Sequence, residues 1–383
     1  MKEIVSKKYK EIFGEGEAFV VRSPGRINII GEHTDYNEGF VLPAAIDKGI
    51  YVAMGKRNDD EIHLFAEAFD EHFKIDLHAI KKTDKDWANY VIGVVNELQK
   101  MKCTVGGFNA VIDGDLPMGA GMSSSAAVEC AIAFGLNELY NLQIQKLDIP
   151  FIAQKAEHNF AGVKCGIMDM FASVMGKKNH VIKLDCKTLA YEYFPLKLDG
   201  YSIVLFNTNV KHSLASSAYN KRREECEAAV KLVQAQHIKV NSLRDVTEEM
   251  LDEYVLPIDN VIHKRSRYVV REIDRLQTAC IDLQNGNLIS LGQKMYATHD
   301  GLSKDYEASC TELDFLVDAV RENKNVIGAR MMGGGFGGCT INIIANDFVT
   351  EVINEICIKY ETEIKLPFTA YVMRTADGTC ILS

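Results

Sequence analysis

The sequence predicts an α+β fold in two units, and three observations carry that prediction. Strand-like segments cluster between Glu17 and Asp113, helical segments cluster between Leu214 and about Asp318, and no internal repeat is visible. Runs of strands followed by runs of helices indicate segregated α+β architecture, whereas a doubly wound parallel sheet alternates strand and helix throughout. A chain of 383 residues has room for two or three domains.

The first strands are AFVVR, KGIYVAMGKR, EIHLFAE, EHFKIDLH and GFNAVIDG, each short and partly alternating in polarity. One helix, from about Asp86 to Met101, interrupts them. Val128, Ile132, Leu136 and Leu139 recur at helical spacing and predict a helix over Ser123 to Tyr140, with a second over Ile149 to Phe160. Strands return at VIKLDC and YSIVLFNT. A strand pair ends near Pro195 to Gly200, which divides the chain into units 1–200 and 201–383. After the long helical region come a glycine-rich segment, a strand CTINII, a helix from about Asp347 to Tyr360 and a last strand FTAYVM.

Composition excludes several classes. Hydrophobic residues make up 47% and charged residues 25%, with 28 glycines and 7 prolines, so the chain is neither disordered nor collagen-like. The net charge of −10 gives no positive field for a nucleic acid backbone or an anionic lipid surface, and neither partner is expected. The ten cysteines form no CxxC pair and the ten histidines no HxxxH, so a disulfide framework and structural zinc are not expected. The N-terminal MKEIVSKKYKEIFGEGE has no apolar targeting core, and no run of eighteen apolar residues follows. The expectation is an unprocessed cytoplasmic protein, and a monomer.

Three motifs stand out. DGDLPMGAGMSSSAAVECA places two glycines and three serines between a strand and a helix start. Glycines admit close backbone approach, and amides at a helix N-terminus bind phosphate oxygens. No GKS or GKT follows, so it is not a Walker A loop; an ordinary capped helix after a turn would carry the same residues. RMMGGGFGGCTI is a second glycine cluster, costly in chain entropy unless a ligand or another backbone comes close. Arg330 within it suits either a phosphate or a surface ion pair. SPGRINIIGEHTDYNEGFVLPAAI sets Arg26, Glu32, His33, Asp35 and Tyr36 between apolar segments. Donors and acceptors so mixed suit a polyhydroxylated ligand, whose hydroxyls must exchange water hydrogen bonds for protein ones. Lys211, His212 and the basic run Lys221 to Arg223 read as a solvated face.

GRINIIGEHTDYNEGFVLPAAI resembles the galactokinase signature, while PMGAGMSSSAA and GARMMGGGFGGCT resemble the second and third motifs of the GHMP kinases. AEHNFAGVKCGIMD, NVKHSLASSAYNKRREEC and DYEASCTELDFLV also look like galactokinase sequence, so the resemblance runs from about residue 17 to the C-terminus. It implies a ribosomal protein S5 domain 2-like N-terminal domain, a ferredoxin-like C-terminal domain and a site between them. The implied reaction moves the γ-phosphoryl of ATP to the anomeric O1 of galactose. By resemblance Glu32, His33, Asp35, Gly166, Asp169 and Tyr219 bind the sugar, with Asp35 and Tyr219 facing O4. Asp169 next to O1 is expected to act as general base or as an electrostatic group, and Arg26 pairs with it, holds it ionised and stabilises phosphoryl charge. Pro117, Gly119, Ala120, Gly121, Met122, Ser123, Ser124 and Ser125 wrap the ATP phosphates, Ser125 and Glu157 hold Mg2+, and Trp87 lies near adenine or is a core aromatic of the helix at residues 86 to 101. Met170, Met122 and Met332 depart from the usual Gln, Leu and Thr. An N-acetylgalactosamine kinase and a non-catalytic sugar sensor share these motifs.

Overall fold

A computed structural model describes residues 1–117, 119–210 and 215–382, with 215 and 216 described by backbone alone. Lys211 and His212 lie outside the described residues. The first sheet has six strands in the order Cys380–Leu382, Phe19–Asn28, Pro43–Lys56, Phe108–Gly114, Glu61–Ala66 and Glu71–Asp76. Only the pair Glu61–Ala66 and Phe108–Gly114 is parallel, with helix Asp86–Lys100 in its crossover. Helix Ser124–Tyr140 buries Ala126, Ala127, Cys130, Ala131, Ile132, Ala133 and Leu136 against this sheet and its neighbouring helices. A helix apolar on most sides is a core helix, and its small residues permit close packing around the glycine and serine motif at its N-terminus.

The second sheet is antiparallel, in the order Val326–Met331, Cys339–Ala345, Tyr201–Asn207 and Thr369–Met373. The last strand of this β-α-β-β-α-β path returns beside the first, which is the ferredoxin-like arrangement. A small third sheet joins Phe40–Val41, His180–Asp185 and Tyr191–Pro195. The α+β class agrees with the sequence reading. Cys380–Leu382 pairs with Phe19–Asn28, so the chain's last strand belongs to the first sheet.

Among the elements that escaped the sequence reading, four show why. Helix Lys2–Phe13 buries only Val5 and Tyr9, too sparse a stripe to signal. Helix Met168–Met175 is mostly buried, and a short apolar run has no readable period. Strand Val326–Met331 is buried on both faces and does not alternate. Cys380–Leu382 is three residues long.

Candidate active site

Arg26 sits where the pairing of Phe19–Asn28 with Pro43–Lys56 shifts register, the kind of irregularity that re-aims a side chain. Its guanidinium clasps Asp169 as a fork, Nε donating to Oδ1 at 2.7 Å and Nη2 to Oδ2 at 2.9 Å. Nη1 donates to the carbonyl of Gly121. Burial opposes the Arg26 charge, but Asp169, Glu32 and Asp35 outweigh it and raise its pKa. Asp169 occupies the first turn of helix Met168–Met175, where a carboxylate suits the dipole. Ser123 Oγ adds a third donor, 2.5 Å from Asp169 Oδ2.

Asp169 opens on a cavity of about 140 Å³. Arg26, Glu32, His33, Asp35, Gly166, Asp169 and Tyr219, spread over nearly two hundred residues of sequence, all line it. Glu32 Oε1 accepts from Arg330 Nη2 at 3.0 Å and from the Gly333 amide at 2.8 Å. Arg330 is fully buried and also donates from Nε to the Ile29 carbonyl at 2.8 Å, so it is neither a phosphate contact nor a surface ion pair. It is a clamp beneath the cavity. Asp35 is pushed up to about 7, first by burial and then by the charge of Asp169. A Cβ on Gly166 would stand 1.7 Å from Asp35 Oδ2, so only glycine leaves that carboxyl in place. His33 has a left-handed backbone, φ 62°, and burial pushes its imidazole down to about 3.

The phosphate motif leads from this cavity toward a second one. Gly119 and Gly121 have φ of 75° and 73° and are exposed, and Ser123 is left-handed at φ 59°. Among the described residues no side chain caps helix Ser124–Tyr140, and the Ser123 hydroxyl goes to Asp169 instead. The first-turn amides therefore face the loop without a side-chain acceptor. Gly333, φ 83°, and Met332 approach Gly121 from the second sheet's hairpin: a Cβ on either glycine would meet the other segment's carbonyl within 3.9 Å. The two glycine motifs thus meet backbone to backbone.

Trp87, Phe69, Tyr90, Leu116 and Val128 line the second cavity, also about 140 Å³ and mostly apolar, together with Ser124 and Ser125. Trp87 Nε1 donates to Glu71 at 2.9 Å, and its ring stacks with Phe69 at 6.4 Å. Pro117 is half-buried and Ala120 fully buried along the loop. Ser125 Oγ donates to Glu157 Oε1 at 3.0 Å, and Glu157 begins a π-helical turn, Glu157–Ala161. Met122, Met170 and Met332 are all buried in the main core.

Sequence reasoning missed Tyr306, Cys226 and the Arg330 clamp, and it misplaced Arg222. Arg222 is buried, donating from Nε to the Tyr306 carbonyl at 2.7 Å and from Nη2 to that of Glu307 at 2.9 Å. The signal was present in part: Tyr219, Arg222 and Cys226 fall at helical spacing on one face of Ala215–Gln234.

The galactokinase galactose-binding signature matches residues 7–56, the GHMP kinase N-terminal domain 89–177 and the GHMP kinase C-terminal domain 280–362. The chain is 43% identical to a galactokinase of Clostridium acetobutylicum, covering 98% of this chain and 97% of that one. It is 40% identical to a galactokinase of Fusobacterium nucleatum, covering 99% of each. The crystal structure of Lactococcus lactis galactokinase complexed with galactose superposes with a TM-score of 0.94 at 37% identity, covering 98% of both chains. A mevalonate kinase at 17% identity and a TM-score of 0.62 shares the fold. With its signature, both domains and its full length matched, the chain belongs to the galactokinase family of GHMP kinases.

Proposed function

We propose that the chain phosphorylates α-D-galactose on its anomeric O1 with ATP, in the cleft between the Asp169 cavity and the Gly119 to Ser125 loop. The observation that carries this reading is the hydrogen bond from Ser123 to Asp169, together with the Arg26 bonds to Asp169 and Gly121. They join the acid of the sugar cavity to the phosphate loop through side chains of one chain. Galactose O1 then lies between Asp169 and the γ-phosphorus. The O1–P bond forms, the bond from the γ-phosphorus to the bridging oxygen breaks, and the O1 proton passes to Asp169 and on to solvent as ADP leaves. Such transfer is loose and asks mainly for positioning and charge stabilisation, which Arg26 and the uncapped amides supply. Glu32, His33, Asp35, Gly166 and Tyr219 hold the sugar, and Trp87 flanks the adenine.

Ser125 and Glu157 suit Mg2+. Both are hard oxygen ligands, and Glu157 is pushed up to about 7 chiefly by burial, a penalty that a cation relieves. The neighbouring Glu129 is buried beside Glu157, and burial and that neighbour push its pKa up as well. Ser125 and Glu157 would hold the ion, and it would supply positive charge to offset that of the ATP phosphates. A cytoplasmic location is proposed on the sequence features given above.

The test is ADP release from purified protein with Mg-ATP and galactose, glucose, N-acetylgalactosamine, mevalonate or no acceptor. Rapid release with galactose alone is expected. Galactose binding without ADP release would instead make the chain a sensor.

A further inference from the structure

We propose that Tyr36 and Tyr306 are positioning residues that fix the tautomer of His33, so that its Nε2 presents an N–H donor to the sugar cavity. The inference rests on the assignment of that cavity to the sugar. Four polar side chains from three distant segments form one hydrogen-bonded chain. His33 Nδ1 lies 2.7 Å from Tyr36 Oη, Tyr36 Oη lies 2.7 Å from Tyr306 Oη, and Tyr306 Oη lies 3.3 Å from Cys226 Sγ. Tyr306 is fully buried, its carbonyl held by Arg222 and Arg265. Asn37 closes the loop, its Nδ2 donating to the His33 carbonyl at 2.9 Å and to Cys226 Sγ at 3.6 Å.

The donor directions follow from counting protons. Asn37 donates to the Cys226 sulfur, so the sulfur acts as acceptor there and sends its own proton to Tyr306 Oη. Tyr306 then donates to Tyr36, and Tyr36 donates to His33 Nδ1. In the opposite sense Tyr306 would also donate to the sulfur, and the buried thiol proton would have no acceptor among the described residues. Buried polar groups avoid that outcome. Burial keeps His33 neutral, and a neutral imidazole carries one ring proton. With Nδ1 accepting, the proton sits on Nε2, which is buried without a hydrogen-bond partner within 3.5 Å among the described residues, on a cavity-lining ring that also stands near the Gly334 backbone. A sugar hydroxyl oxygen accepts from Nε2–H and passes its own proton to a carboxylate, and Glu32 and Asp35 line the same cavity. A histidine with a bare Nε2 would compete with those carboxylates for the hydroxyl proton and leave the hydroxyl oxygen without a donor.

Nitrogen-15 NMR of histidine-labelled protein tests this, with the His33 signals assigned by difference from His33→Gln. The ligand-free wild type is expected to show a protonated Nε2 and a bare Nδ1, and galactose is expected to shift Nε2. Tyr36→Phe and Tyr306→Phe keep the rings and remove one hydroxyl each. They are expected to mix the two tautomers and raise the galactose KM about tenfold, the size of one lost hydrogen bond, with kcat changed less than about threefold. A wild-type His33 protonated on Nδ1, or Phe variants with unchanged spectra and KM, overturns the proposal. The predicted tautomer with no response to galactose supports the relay and overturns the sugar assignment, so the two failures are separable.

Discussion

The proposed sugar cavity and the proposed phosphate loop meet at Asp169, yet they are built by opposite means. The cavity is a set of buried side chains already paired to one another: Glu32 to Arg330, His33 to Tyr36, Asp169 to Arg26. The loop is exposed backbone, with left-handed glycines and a helix start that no side chain caps. A neutral polyol offers only directional hydrogen bonds, so its donors and acceptors must be aimed in advance. Phosphate brings charge that amides and cations attract from many directions. Preorganised side chains therefore belong to the sugar end, and open backbone suffices at the phosphate end.

Four substitutions can break or sharpen this contrast. Asp169→Asn removes the group shared by both regions, and kcat is expected to fall by about 10²–10⁴-fold, the range for a positioned acid or base. Galactose affinity should stay within a few-fold, read by calorimetry; loss of binding would make Asp169 a sugar ligand first. Arg330→Met leaves Glu32 buried without its cation, a loss of about 3–5 kcal/mol expected in denaturant unfolding. A change below about 1 kcal/mol would show that the sugar end is not preassembled.

Asp35 provides a pH signature of the cavity's burial. Its carboxyl titrates near 7 in the fold and near 4 in the unfolded chain, so between those values the folded state holds the extra proton. Stability contributed by this group is full at low pH, declines as pH rises from about 4 to about 7, and is level above. The melting temperature of wild type relative to Asp35→Asn should therefore be lower at pH 8 than at pH 5, and a pH-independent difference would contradict a buried neutral Asp35. The smallest effect belongs to the loop. Gly119→Ala, with open space for the methyl group but φ at 75°, should cost about 1–2 kcal/mol of stability and raise the KM for ATP while leaving galactose binding unchanged. A matching rise in the galactose KM would mean that the two regions are not independent.

The same contrast explains what could be read before the fold was known. The phosphate loop is local: glycines, serines and the helix after them are contiguous, and their use of backbone follows from residue type. Arg26, Glu32, His33 and Asp35 were visible as one cluster, and the resemblance supplied Gly166, Asp169 and Tyr219, which the structure gathers at the same cavity. Their supports were not legible. Arg330 lies 298 positions from Glu32 and Tyr306 lies 270 from Tyr36, and a Tyr or Arg that becomes fully buried looks like any other in composition. Arg222 was assigned to a solvated face because a basic run usually is one; here the carbonyls of Tyr306 and Glu307 draw it inside. Strand Val326–Met331 was hidden for a related reason, since burial on both faces erases alternation.

The central claim is that Asp169 joins a galactose cavity to a phosphate loop for transfer to O1. Phosphorus-31 NMR of the product formed from Mg-ATP and galactose tests it directly, run on wild type and on Asp169→Asn protein shown to bind galactose. The account predicts a phosphate coupled to the anomeric proton with wild type and almost none with the variant. A phosphate on another hydroxyl, or an anomeric phosphate formed by the variant at near wild-type rate, would contradict it.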